Sequence, residues 1–263
     1  MRLTVLGTAT PFPRPDNPCS GYLLQGGTVD DESGGADAPG ATVWIDAGAG
    51  TLAELQRHTS IGALDAIWIS HRHADHAADL LVAYYALRFA EGRPEHPVPL
   101  PLIAPEGMLE RLSAFLGPSS VDELPRVFDF RPMSGWGEAV FGSLTLSWGP
   151  VQHGVPAFGL TVDEGGRRLA YSGDCAPCLS LEEIGENADL LLVEAGYDRA
   201  PEGEPAVHHT PEEAGRSAAT AGAARLVLTH LAESLVPDAA RARAATAYAG
   251  PIELAHPGAV FLV

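Results

Sequence analysis

The sequence predicts an α+β chain built as a four-layer αββα sandwich, and three observations lead there. Its apolar segments read mostly as strands first and then as strand alternating with helix in each half, with no internal sequence repeat. A length of 263 residues with 46% hydrophobic content can fill one large layered core, and the chain is read as a single domain over residues 1–263. Histidines and aspartates stand where predicted strands end, which places a site along one edge of the layers.

Residues 2–6, 21–25 and 42–45 are short, apolar and rich in β-formers, so each reads as a strand. Residues 26–41, between the last two, are rich in Gly, Asp and Ser with almost nothing to bury, and predict a mobile surface loop. Residues 64–69 form the next β-type run. Residues 77–91 space their apolar side chains helically and meet a stop at Gly92, and 94–101 is a proline-rich connector. A strand at 102–104 and a helix at 106–116 follow. Residues 144–148, 159–162 and 168–172 read as strands, the last two joined as a hairpin by Gly165-Gly166. Residues 188–193 are a buried-type strand ending at Glu194. A helix over 211–221 starts with Thr210 as N-cap and Pro211 at the first position, with Glu212 and Glu213 at its positive end. A strand at 225–228, a helix at 237–248 and strands at 252–254 and 260–263 complete the chain.

Charge narrows the partners. Sixteen Lys+Arg against 34 Asp+Glu give a net charge of −18; lysine is absent and the longest basic run is Arg167-Arg168. A protein that grips long nucleic acid neutralises phosphates with a basic stripe, so the global field here opposes a polyanion, although a local pocket could hold one phosphate. No apolar run approaches the length of a membrane span, and the amino terminus lacks the pattern of a secretory signal, so the chain reads as soluble and cytoplasmic. The three cysteines, Cys19, Cys175 and Cys178, make no disulfide framework. Cys175 and Cys178 follow an aspartate rather than opening a strand-to-helix redox turn, and are read as ordinary buried or loop cysteines.

The chemistry is concentrated in Trp68-Ile69-Ser70-His71-Arg72-His73-Ala74-Asp75-His76, three histidines and an aspartate directly after an apolar β-type run. Imidazole and carboxylate suit zinc, manganese or iron(II), and this many potential ligands can hold two ions. His71 and His73 stand two apart at a strand exit and can point the same way, while Asp75 and His76 open the next helix.

The spacing His-x-His-x-Asp-His resembles the metal motif of the metallo-β-lactamase-fold hydrolases. The remaining motifs resemble the ribonuclease Z-like branch of that superfamily: Leu6-Gly7-Thr8-Ala9-Thr10-Pro11, Ile45-Asp46-Ala47-Gly48, His153, Ser172-Gly173-Asp174, Thr229-His230 and His208-His209-Thr210-Pro211. The resemblance implies the metallo-β-lactamase sandwich and two divalent ions, zinc first, with manganese or iron(II) as alternatives. It implies that His71, His73 and His153 hold one ion, that Asp75, His76 and His230 hold the other, and that Asp174 bridges both. Taken singly, His153, Asp174 and His230 read as loop, turn and strand-end residues; their joint occurrence in the family's order reverses that. Open positions in such a site leave room for a bridging water, the mark of a catalytic site.

In the resembling enzymes a histidine at the place of His208 assists the leaving group, which makes His208, with Asp75, the candidate for proton transfer. His209 competes for that role, and its replacement is expected to be much the milder. Glu194 could orient His208, cap a helix or face solvent. The long arm that transfer-RNA-processing ribonuclease Z carries between its third-motif histidine and bridging aspartate has no room here, since Asp174 follows His153 by 21 residues. The architecture instead resembles the small phosphodiesterases of this branch, which implies small cyclic or diester phosphates as the leading substrate class. Hydrolysis of a non-phosphate ester, lactone, thioester or amide is the alternative, with tRNA processing and non-catalytic metal binding behind it. The expected partner is a small-molecule substrate, with no long nucleic acid and no membrane; a homodimer is left open.

Overall fold

The computed structural model describes residues 1–27, 40–89 and 99–263. The first half contributes β1 (Arg2–Gly7), β2 (Gly21–Gln25), β3 (Thr42–Ile45), β4 (Ala66–Trp68), β5 (Leu100–Pro105) and β6 (Phe128–Met133). The second contributes β7 (Gly137–Phe141), β8 (Leu144–Val151), β9 (Ala157–Glu164), β10 (Arg167–Tyr171), β11 (Leu190–Ala195), β12 (Leu226–Leu231), β13 (Ile252–Leu254) and β14 (Val260–Leu262). They form two seven-stranded sheets, ordered β14-β1-β2-β3-β4-β5-β6 and β13-β12-β11-β10-β9-β8-β7. The last strand crosses back to the first sheet, pairing antiparallel with β1 from Arg2↔Leu262 to Thr4↔Val260.

Strand periodicity explains the layering. Successive side chains leave a strand on opposite faces, and here both faces of the central strands are buried, so their sequences are nearly continuous apolar runs. Val43, Ile45, Ala66 and Trp68 meet Leu160, Val162, Leu190, Leu192 and Val227 between the sheets. Trp44, Ile67 and Ile69 face outward onto α1 (Thr51–Leu55), α3 (Leu80–Phe89) and α4 (Met108–Leu116); a four-residue α2 (Ala74–Ala77) lies between α1 and α3, and α5 (Ser120–Glu123) follows α4. On the far side Leu191, Val193, Leu226 and Leu228 pack against α6 (Leu179–Ile184), α7 (Pro211–Thr220) and α8 (Pro237–Ala244). The result is the expected αββα order.

The expected strands and helices are present with boundary shifts, and α7 begins with a full capping box between Thr210 and Glu213. One helix differs. The run expected over 77–91 is divided, because the Asp79 N–H donates to the Ala47 carbonyl (2.8 Å) and its carboxylate accepts the Leu52 N–H (2.7 Å), so the chain turns between α2 and α3. The tail of that helix, the Gly92 stop, most of the 94–101 connector and most of the 26–41 loop lie outside the described residues. β6, β7, α1, α6 and the four-residue α5 had no sequence signal. β6 and β7 are the outermost strands of their sheets, half exposed and carrying Asp129, Arg131, Pro132 and Glu138, the composition of edges rather than cores. α1 and α6 are too short for helical periodicity to emerge. Among the described residues no helix is long and apolar enough to cross a membrane.

Trp44 is fully buried between the first sheet and its helices. Trp44→Ala should lower the unfolding free energy by about 3–5 kcal/mol, read from the shift in denaturant midpoint at unchanged slope. A loss below ~1 kcal/mol would contradict this packing.

Candidate metal centre

Strand ends from both sheets converge at one edge. His71 and His73 follow β4, and Asp75 and His76 lie in α2. His153 follows β8, Asp174 follows β10, Glu194 is near the end of β11 and His230 near the end of β12. Backbone bonds between the sheets help hold this edge together: the Phe158 N–H donates to the Ser70 carbonyl (3.0 Å), and His71 makes an antiparallel bridge to Ala157. Asp46 and His230 have positive φ, 54° and 48°, a left-handed backbone that non-glycine residues adopt at a cost of order 1–3 kcal/mol.

The predicted ligands assemble in two groups whose donor atoms lie within 4.8 Å of one another: His71, His73 and His153, and Asp75, His76, Asp174 and His230. Asp174 stands between them. Its Oδ1 is 3.3 Å from His76 Nε2, and its Oδ2 is 3.4 Å from His230 Nε2 and 3.8 Å from His71 Nε2. Asp75 Oδ2 lies 3.4 Å from His230 Nε2.

Hydrogen bonding decides which ring nitrogens are bare. The Ser70 hydroxyl donates to Asp46 (2.8 Å), so at 3.0 Å it accepts from His71 Nδ1, and His71 Nε2 is left as a lone pair. His153 Nδ1 faces the Val207 carbonyl (2.7 Å) and must donate to it, which leaves His153 Nε2 bare as well. Both bare nitrogens converge on His73 Nδ1, at 2.9 and 3.3 Å. In the other group His76 Nδ1 bonds Asp46 (2.7 Å), while His76 Nε2 and Asp174 Oδ1 are buried without a hydrogen-bond partner. Converging lone pairs and carboxylates repel unless a cation lies among them, so the donor set fits divalent metal binding.

Titration follows the same geometry. Burial pushes the His71, His73 and His153 imidazoles below their ordinary range, aided at His71 by neighbouring His76. Burial also works against a charged His76, but Asp174 and Asp46 outweigh it and hold that imidazole well above the usual range. Asp174 is buried too, yet His230 and His76 keep its carboxyl well below the usual carboxylate range.

His208 belongs to neither group. Its Nδ1 bonds Glu194 Oε1 at 2.9 Å, and its ring stacks on His230 with centroids 5.7 Å apart. Glu194 is buried, and the same Oε1 accepts the Cys175 and His209 N–H groups at 3.1 and 3.2 Å. Although Glu194, His208 and His230 lie close enough to share an ion, this carboxylate is saturated by donors and acts as an orienting group. It does not face solvent. Burial disfavours a charged His208, but the bond to Glu194 prevails and raises its pKa. His209 is different: its buried ring runs from the Cys175 carbonyl (2.6 Å) to the Ser217 hydroxyl (3.0 Å), bracing the fold away from the cluster. The mild effect expected for its replacement is therefore revised to a loss of stability. Asp46 was quoted from the sequence as part of a turn and given no site role; its partners become visible once β3, β4 and β10 are side by side.

Because His76 holds a proton that a metal must displace, metal binding near pH 7 should release protons, and affinity should fall as pH falls. Calorimetric titration with zinc in buffers of different ionisation enthalpy measures this, and proton uptake would contradict it. Asp174→Ala, which touches both groups, should lower metal content at both by elemental analysis.

A family model described as Beta-lactamase superfamily domain matches residues 41–231. An uncharacterized protein of Mycobacterium leprae is 32% identical over 265 residues, covering 99% of this chain and 88% of its own. The probable metallo-hydrolase YhfI of Bacillus subtilis is 28% identical over 263 residues, covering 99% of each chain. The crystal structure of YhfI, a metallo-beta-lactamase fold protein, superimposes with a TM-score of 0.82 at 26% identity over 99% of this chain and 98% of that one. Ribonuclease Z of Mycobacterium avium is 28% identical over 285 residues, covering 97% of this chain and 95% of its own. These relatives meet the resemblance read from the motifs, and the chain belongs to the β-lactamase superfamily.

Proposed function

We propose that this protein is a hydrolase of small cyclic or diester phosphates that works with two divalent ions, zinc first. The observation that carries the reading is the pair of donor groups joined by Asp174, with the His208–Glu194 pair set beside them. The names of two relatives, a probable metallo-hydrolase and a ribonuclease, support hydrolysis and a phosphodiester bond. The small size of the substrate is supported by the segment between His153 and Asp174, which is taken up by the β9–β10 hairpin and holds no arm. The net charge of −18 agrees.

His71, His73 and His153 would hold one ion, Asp75, His76 and His230 the other, with Asp174 shared. When bound, such ions supply Lewis acidity toward a phosphoryl oxygen and lower the pKa of water at the site. The chain's own groups do the rest. Asp46, Ser70 and the Val207 carbonyl fix the ring orientations of His76, His71 and His153. His208 gives its Nδ1 proton to Glu194 in a hydrogen bond and turns Nε2 outward. Its raised pKa favours the charged ring, whose Nε2 can donate a proton to the departing oxygen. Asp75, whose carboxyl stays below its ordinary range as His230 outweighs the effect of burial, is anionic and can take up a proton on the opposite side.

The protein should hydrolyse bis(p-nitrophenyl) phosphate and leave precursor tRNA essentially uncut; efficient, salt-sensitive trimming of a tRNA 3′ trailer would overturn the substrate class. His208→Ala should keep both metals and lose about 10² or more in kcat and kcat/KM together, whereas His209→Ala should lower Tm first. Glu194 favours the charged ring, so activity that needs His208 protonated is lost as pH rises through its raised pKa. Glu194→Gln should move that basic limb of the pH–kcat/KM profile to lower pH, and an unmoved limb would refute the assignment.

A further inference from the structure

Cys175 and Cys178 are nucleophiles that the metal centre leaves unused, and the fold brings them together beside it. Cys175 directly follows Asp174; it is fully buried, and its thiol hydrogen-bonds the Cys178 sulfur. The turn between them is pinned by the Ala176 N–H, which donates to the Gln152 carbonyl at 2.8 Å. Cys178 is only partly buried and lies between exposed Pro177 and exposed Leu179, so its sulfur is the one that solvent reaches. The Ser180 hydroxyl stands 3.4 Å from Cys178 Sγ, and the Gln152 and Leu181 N–H groups also donate to that sulfur. Read from the sequence these are ordinary cysteines; their contact gives the pair a chemistry of its own.

A thiolate, rather than a thiol, attacks peroxides and disulfides, and donors gathered around one sulfur favour its anion. At Cys178 the Cys175 thiol and then Ser180 outweigh burial and lower the thiol to about 5. An accessible thiolate touching a second, buried thiol is the arrangement of an attacking and a resolving cysteine. The backbone of Cys175 ties the pair to the site. Its N–H donates at 3.1 Å to Glu194 Oε1, the oxygen that also bonds His208 Nδ1, and its carbonyl accepts His209 Nδ1 at 2.6 Å. Closing a covalent bond between the sulfurs draws Cys175 toward Cys178 and disturbs the N–H that Glu194 uses.

We propose that Cys175 and Cys178 are an oxidative modification site, a thiol pair that a hydroperoxide closes to a disulfide, and that closing it lowers turnover through Glu194 and His208. The Cys178 thiolate attacks the peroxide: an S–O bond forms, the O–O bond breaks, and hydroxide leaves from hydrogen peroxide, giving the sulfenic acid of Cys178. The Cys175 sulfur then attacks that sulfur. The S–S bond forms, the S–O bond breaks, and the hydroxyl leaves as water with the Cys175 proton. The pair is oxidised by two electrons and the peroxide reduced by two. A small thiol reverses the change by thiol–disulfide exchange. The effect on turnover rests on the reading of the cluster as a hydrolytic centre; the disulfide itself does not.

The test treats the metal-loaded protein with hydrogen peroxide near neutral pH and follows free thiols, peptide masses, metal content and hydrolysis of bis(p-nitrophenyl) phosphate. Mapping should place a disulfide at Cys175–Cys178 with the buried Cys19 still reduced, and dithiothreitol should open it. Turnover should fall by roughly tenfold or more with metal content unchanged, and recover with the thiols. Cys175→Ser should stop at a sulfenic acid on Cys178 that dimedone traps. Cys178→Ser should keep its basal activity and resist peroxide; Cys178 is partly exposed, so this variant tests the proposal even if the buried Cys175→Ser folds poorly. Both thiols remaining free under peroxide, or a Cys178→Ser enzyme as sensitive as wild type, overturns the proposal. A disulfide that leaves diester turnover unchanged overturns the coupling through Glu194. A disulfide formed in a protein that cleaves no diester supports the modification site and removes the hydrolytic reading instead.

Discussion

The carboxylate of Asp46 sits where the two sheets come together, fully buried, and four donors end on it. The Ser70 N–H reaches Oδ1 at 2.7 Å, while Oδ2 accepts the Ser70 hydroxyl (2.8 Å), His76 Nδ1 (2.7 Å) and the Tyr171 hydroxyl (2.8 Å). Ser70 and His76 come from the first sheet's edge and Tyr171 from β10 of the second, so one charge locks both sheets and one histidine of the cluster. A buried carboxylate is costly unless its lone pairs are used, and here the donors that satisfy it are also those that aim the site. The left-handed backbone of Asp46, at φ 54°, is part of the cost of bringing it there.

From that point the geometry is set outward. Ser70, pinned by Asp46, accepts a hydrogen bond from His71 Nδ1 and leaves His71 Nε2 bare; His76 is held by the same carboxylate with its Nε2 toward Asp174. Ring nitrogens from both sheets therefore gather around Asp174, with His76 Nε2 and His230 Nε2 at 3.3 and 3.4 Å from its two oxygens. The fold holds these donors together at the sheet edge, and the set fits a divalent cation. That is the usual relation between a rigid scaffold and a functional site, in which stability is given up locally for chemistry.

Two adjacent histidines show how finely the backbone divides roles. His208 and His209 leave the chain in different directions beside Glu194, one stacking against His230, the other buried between a carbonyl and a serine.

The amino-acid sequence by itself determined the layers and the ligand types. Continuous apolar runs at 43–45, 66–69 and 190–193 require burial on both strand faces, and the His-x-His-x-Asp-His spacing after such a run names the chemistry, because both signals are local. It left silent the edge strands β6 and β7, whose half-exposed composition is that of loops, and the division of the 77–91 helix, which depends on Asp79 finding Ala47 and Leu52. Only the tertiary structure decided that Asp46 anchors the cluster, that Glu194 serves His208, and that His209 is a brace. Each of these is a pairing between residues far apart in the chain, with partners chosen by which strand ends lie side by side; sequence spacing carries no record of that choice.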